Sequence, residues 1–144
     1  MKLEGWKMTP KFRAWTEEGK VMYYDVYPFK DDTLLLSYDE VSFDEVPASD
    51  FILMQSTGLK YKNGTEIYEG DIVKFTIANG FDYVVDECGI VAYKFGALYV
   101  VNRLGEYLIS DIYTNDVEVI GNKYENPELL KGCLGELKRT VINW

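Results

Sequence analysis

The chain has 144 residues, enough for one compact domain to bury a core without metal or disulfide staples. Its formal charge is −9, from 15 basic and 24 acidic residues, so it repels phosphate backbones unless its cations gather on one face. The lysines and arginines are scattered, which argues against nonspecific nucleic-acid binding. No apolar run approaches the roughly 18 residues of a spanning helix, which argues against a helical membrane protein.

"KFRAW" (11–15) and "VMYYDVY" (21–27) flank a polar turn carrying Gly19, the pattern of a β-hairpin. Strand periodicity sets Val21, Tyr23, Asp25 and Tyr27 on one face, and Met22, Tyr24 and Val26 on the other. Pro28 ends the run because it has no N–H for a ladder. Residues 30–50 are acidic and read as a loop with one short strand at "TLLLSY". "FILMQ" (51–55) is a compact apolar run of the buried-strand type.

Asn63-Gly64 and Gly70-Asp71 supply residues that adopt positive φ, so both read as turns. Between them "TEIY" is a short extended segment. "DIVKFTI" (71–77) alternates between Ile72, Lys74, Thr76 and Val73, Phe75, Ile77. Asn79-Gly80 is a further hairpin signal. "DYVVDECGIVAYKF" reads as two strands, or as one strand bulged at Cys88-Gly89. "GALYVVN", "RLGEYLI" and "DVEVIGN" complete a set of short strands with no helical period. Together they predict a mainly β fold with a small closed or nearly closed barrel.

The last segment changes character. Asn126 is placed to cap a helix, Pro127 suits its first position, and Glu128 suits its positive end. Leu129, Leu130, Cys133, Leu134, Leu137 and Val141 recur at helical spacing. Gly132 and Gly135 each cost about 1 kcal/mol in a helix interior, so the start is better defined than the extent. The organisation expected is a β-hairpin region with an acidic insertion over 1–56, a barrel over 57–124, and a helical tail over 125–144.

The chemistry is defined largely by what the sequence lacks. There is no histidine, so the usual general base, the Ser–His and Cys–His pairs and histidine metal sites are missing. No P-loop, dinucleotide-binding GxGxxG or EF-hand spacing occurs. No catalytic, metal or cofactor-binding residues are assigned, and no cofactor is expected. A carboxylate-dependent divalent-metal enzyme would have to use pairs such as Asp31-Asp32 or Asp86-Glu87, whose neighbours point to opposite faces of a strand. Cys88 and Cys133 lie far apart without a CxxC. They read as buried thiols in a reducing cytoplasm, with a disulfide between them as the alternative. The hairpin residues Arg13, Trp15, Tyr23 and Tyr24 form a candidate interaction surface, since arginine and aromatics dominate protein interfaces. The same residues could stack bases or fill a core. Tyr68 has the same ambiguity between core and contact.

Three blocks in order carry a family likeness: "KFRAW" with "MYY"; "FILMQSTGLKYKNGTEIYEGDIVKF"; and "GIV" with "EVIGNKYENPELL". From about Lys11 to Leu130 the chain resembles the YopX family of phage and prophage proteins. The resemblance implies a mostly β protein with an SH3-like barrel in its second half. It also implies a phage or prophage origin and homo-oligomers, including ring-like ones. The family's function is uncharacterised, so no site residues follow from it. The reading is a non-enzymatic accessory protein that binds itself and a protein partner. A nucleic-acid-binding barrel and a metal enzyme are the alternatives.

Overall fold

The structure, a computed structural model, describes residues 11–60, 64–78, 80–81, 83–112 and 117–142, and for 111 and 136–142 the backbone alone. The chain forms two compact units that meet in sequence between Gly58 and Leu59. Both are built from antiparallel strands, and one helix ends the chain, so the protein is mainly β.

In the first unit, β1 (Phe12–Thr16) and β2 (Val21–Pro28) form the predicted hairpin. The left-handed residue of its turn is Lys20 (φ 54°), not Gly19. β3 (Thr33–Leu36) pairs with the end of β2, and β4 (Asp44–Pro47) pairs with β3. The 30–50 segment is therefore a second hairpin, where the sequence had suggested only one strand. β4 escapes a hydrophobic reading because "DEVP" is an edge strand, and edges are commonly blunted with charge and proline. A short 3₁₀ turn (Ala48–Asp50) leads into β5 (Ile52–Lys60), which pairs with β1. Within this unit the strand order is β4-β3-β2-β1-β5; β6 (Glu66–Tyr68) belongs to the second unit. The unit's buried cluster is small: Ala14, Val26, Leu34 and Leu36, cushioned by half-buried side chains such as Phe12 and Leu53.

The second unit holds a five-stranded sheet in the order β10-β9-β8-β7-β11. Its strands are β7 (Asp71–Ala78), β8 (Tyr83–Lys94), β9 (Ala97–Val101), β10 (Glu106–Leu108) and β11 (Val117–Asn122). Closure into a barrel is not found: β10 and β11 end the order, and no pairing joins them among the described residues. The period-two pattern is visible in two clusters on opposite faces of the strands. Val73, Phe75, Val91 and Val100 belong to one cluster, and Ile72, Ile90, Ala92 and Val101 to the other. The second cluster is completed by Cys133 and Leu134 of helix α1 (Glu128–Ile142).

β8 is a single strand. Its bulge falls at Asp86 (φ 53°), whose N–H donates to Thr76 Oγ1 at 3.1 Å, and not at Cys88-Gly89. Gly89 is required for a different reason. A Cβ there would meet Val100 Cγ1 at 2.7 Å and the Val101 carbonyl oxygen at 2.9 Å. At Gly135 (φ 68°, ψ 178°) the backbone leaves helical geometry, which divides α1 into two helical segments across a kink. Asn126 does not cap it with its side chain. Its Oδ1 instead accepts from Asn122 N at 3.1 Å, beneath Gly121.

The two cysteines are not free thiols. Cys88 of β8 and Cys133 of α1 form a disulfide across 45 positions of sequence. The reading as reduced, buried hydrophobes is corrected accordingly. No signal in the sequence distinguished the two outcomes, because two isolated cysteines carry no spacing information.

Candidate functional site

The four residues singled out in the first hairpin separate into two behind the surface and two on it. Arg13 and Trp15 are each only 2% exposed. Trp15 Nε1 donates to Glu17 Oε2 at 2.8 Å, and this bond with the Lys20 ammonium holds the Glu17 carboxyl below its usual range, the lysine contributing most. Tyr24 is 56% exposed and Tyr23 half-buried. The Arg13 guanidinium lies 6.0 Å from the Tyr24 ring centre, within cation–π range.

Why Tyr24 turns outward follows from the pairing register. Phe12 pairs with Val26 and Ala14 with Tyr23, so β2 carries one more residue than β1 in this interval. Tyr24 and Asp25 therefore oppose the single residue Arg13. A bulge of this kind re-aims side chains and interrupts the ladder.

Next to the bulge is a cavity of about 450 Å³, lined by Met22, Tyr23, Tyr24, Asp25, Ser37, Tyr38 and Glu40. Tyr23 meets Tyr38 edge-to-face, with ring centres 5.3 Å apart and planes at 89°, and meets Phe51 at 6.2 Å. The far wall is shaped by Asp39. Its Oδ1 accepts from Val41 N and Ser42 N, both at 2.9 Å, while Glu40 takes φ 64°. The backbone bond from Ser42, then that from Val41, lowers the Asp39 pKa to about 2. Further rings lie outside the cavity: Tyr27 contacts Phe43 at 5.8 Å, and Phe29 is about half exposed. The sequence reading did not include Met22, Asp25, Ser37, Tyr38 and Glu40. The spacing Asp39-x-x-Ser42 is an Asx-turn signal that could have marked the wall.

The second unit explains the glycine-punctuated segment. Gly64 (φ 88°) and Gly70 (φ 91°) are left-handed, as turns there require; Asn63 lies outside the described residues. Gly70 N donates to Val91 O at 2.8 Å, and Gly70 O accepts from Lys123 N at 3.0 Å, tying the turn to β8 and to the residue after β11. Asp71 Oδ2 accepts from the Tyr68 N–H at 2.7 Å, and Ile67, Tyr68 and Asp71 are all buried. Tyr68 is thus a core residue. No group of three Asp, Glu or Cys side chains suited to a metal ion occurs among the described residues, nor any helix long and apolar enough to cross a membrane.

The family model for the YopX protein matches residues 11–131. The chain belongs to the YopX family. Among solved structures it resembles protein EF1440 from Enterococcus faecalis, with 30% identity, coverage of 84% of this chain and 97% of that one, and a TM-score of 0.57. It also resembles protein yopX from Bacillus subtilis, with 27% identity, coverage of 83% and 97%, and a TM-score of 0.48. No curated protein matches. The YopX-family match spans the Tyr23–Glu40 cavity and the buried Ile67–Asp71 segment alike.

Proposed function

We propose that this YopX-family chain is a non-enzymatic, homo-oligomeric protein-binding module, a phage or prophage accessory protein. One observation carries the reading: the first unit leaves large rings on its outside, with Tyr24, Tyr27, Phe29, Tyr38 and Phe43 all exposed beside an open cavity. Contiguous exposed aromatics mark contact surfaces in soluble proteins. The lack of histidine supports a non-enzymatic role, and the charge of −9 favours a protein partner over nucleic acid. The strand order of the second unit supports an SH3-like description. Its last strand lies beside its first, and a 3₁₀ turn (Ile109–Asp111) separates the fourth from the fifth.

Light scattering on the intact chain at micromolar concentration tests this. The expected mass is a multiple of 16.6 kDa, reduced in a Tyr27→Ser, Phe43→Ser double variant that keeps its circular dichroism. A monomer at that concentration overturns the oligomeric assignment. An assembly indifferent to the double variant moves the contact surface elsewhere.

A further inference from the structure

The cavity beside the β2 bulge has a property that simple exposure of rings does not supply: one of its walls is a strand edge. β1 runs along β2 from Val21 to Val26, whereas β3 meets β2 only from Val26 to Pro28. Beyond that point one backbone bond continues the ladder, from Ser37 N to Asp25 O at 3.0 Å. The chain then departs, because the Asp39 carboxylate gathers the amides of Val41 and Ser42 into a tight turn. β2 has only β1 and β3 as neighbours in the sheet, so no strand among the described residues covers its outer edge at Met22 and Tyr23. An uncovered edge is a template for another extended chain.

The surroundings of that edge state which chain would fit. The cavity is lined by two carboxylates, Asp25 and Glu40, and by no lysine or arginine. Arg13, the cation under Tyr24, is buried behind the rim. The Tyr23 and Tyr38 rings line the same cavity and meet edge-to-face, and aromatic rings of this kind attract cations. We infer that β2 binds an extended segment of a partner protein, added as a strand along Met22 and Tyr23, with a lysine or arginine entering the cavity between Asp25, Glu40 and the two tyrosines. Side chains of an added strand alternate, so a segment with cations two residues apart presents them to one face. This inference rests on the protein-binding reading above and assigns the partner's chemistry.

The probe is a fluorescent seven-residue peptide alternating lysine and valine, with a glutamate–valine peptide of the same length as control, followed by anisotropy on the intact protein. Binding of the lysine peptide alone is expected, weakening with salt. Asp25→Asn combined with Glu40→Gln should weaken it on the order of tenfold. Methylating alternate backbone amides of the peptide should abolish binding in one register and spare it in the other, which a purely electrostatic contact would not do. Equal binding of both peptides, or indifference to the paired variant, overturns the proposal. If the lysine peptide fails to bind while Tyr38→Ala lowers the assembly mass, the edge belongs to a second copy of this chain; the proposal then falls and the oligomer reading stands. A monomeric protein that binds neither peptide removes both.

Discussion

The two units divide their apolar residues in opposite ways. The second builds two buried clusters on opposite faces of its strands, with Phe75 and Val91 on one side and Ile72, Ile90 and Leu134 on the other. Its most exposed rings, Phe81 at 95% and Phe95 at 90%, sit in hairpin turns, and the exposed Tyr83 and Tyr93 lie near the two ends of β8. The first keeps a cluster of four buried residues and spreads its rings along β2 and the segments that follow β3. Since burial contributes about 25 cal/mol per Å², apolar area left outside does not stabilise the fold, and its retention calls for another use. The second unit holds the larger buried clusters, and the first gathers its rings around a cavity.

The largest expected effect tests that division at the core. Phe75→Ala should cost about 3–5 kcal/mol, because Phe75 is fully buried and packs on Tyr107 at 5.8 Å. Leu36→Ala in the first unit should fall at the low end of about 2–5 kcal/mol, since its half-buried neighbours can relax into the gap. Denaturant unfolding of the two variants measures both. Equal losses would mean that the first unit is as tightly built as the second.

Reduction of the Cys88–Cys133 bond comes next. It closes a loop across 45 positions that lies wholly in the second unit, so adding a reductant should remove about 3–4 kcal/mol of chain-entropy stabilisation. Amide exchange should quicken in β8 and α1 and stay unchanged in β1–β3. Quickening in both units would break the comparison by making them one cooperative body.

Gly70→Ala should cost about 1–2 kcal/mol, because an L-residue at φ 91° is strained. The loss should be visible as a lower melting temperature. Unchanged melting would mean that the turn tolerates a side chain and that its two backbone bonds shift to accommodate it.

Legibility cut across that division. Regular alternation at Ile72–Ile77 revealed the strand and its Val73–Phe75–Ile77 face, whereas the burial of Ile72 on the other face depends on Cys133 and Leu134 far along the chain. Gly64 and Gly70 revealed their turns, because few other residues adopt positive φ without strain. The hairpin at 11–27 was equally plain. What the sequence concealed depended on partners distant along the chain. "DEVP" becomes a strand only because β3 lies beside it. Gly89 is dictated by Val100 and Val101 across the sheet, and Cys88 is bonded to Cys133 by tertiary placement alone. The candidate site was half visible. Tyr23 and Tyr24 stood out by composition, but their wall at Ser37–Glu40 is brought to them by the β2–β3 pairing. For Arg13 and Trp15 the sequence leaves surface and core both open, because a hairpin's pattern does not say which face the rest of the sheet covers.

The smallest effect is a pH contrast between the units, and it turns on cause as much as on size. Asp39 in the first unit is fully exposed, yet its pKa is lowered to about 2 by the amides of Ser42 and Val41. Its folded value lies below the unfolded one near 3.8, so the contribution is present above that value and is lost as pH falls through about 2. Lys123 in the second unit is half-buried, and desolvation lowers its pKa against an opposing attraction from Glu69. Folding there disfavours the charged form. Stability therefore rises as pH climbs through the folded value toward the unfolded 10.5. Carboxyl and side-chain amine titrations by NMR separate the two. Asp39 should titrate with a midpoint of about 2, with the Val41 and Ser42 amides losing protection in the same range. A midpoint near 3.8 would mean that the turn does not hold the far wall of the cavity, and with it the open edge of β2 would lose its definition. Lys123 should titrate below 10.5, and Lys123→Met should remove the alkaline rise in stability without touching the first unit.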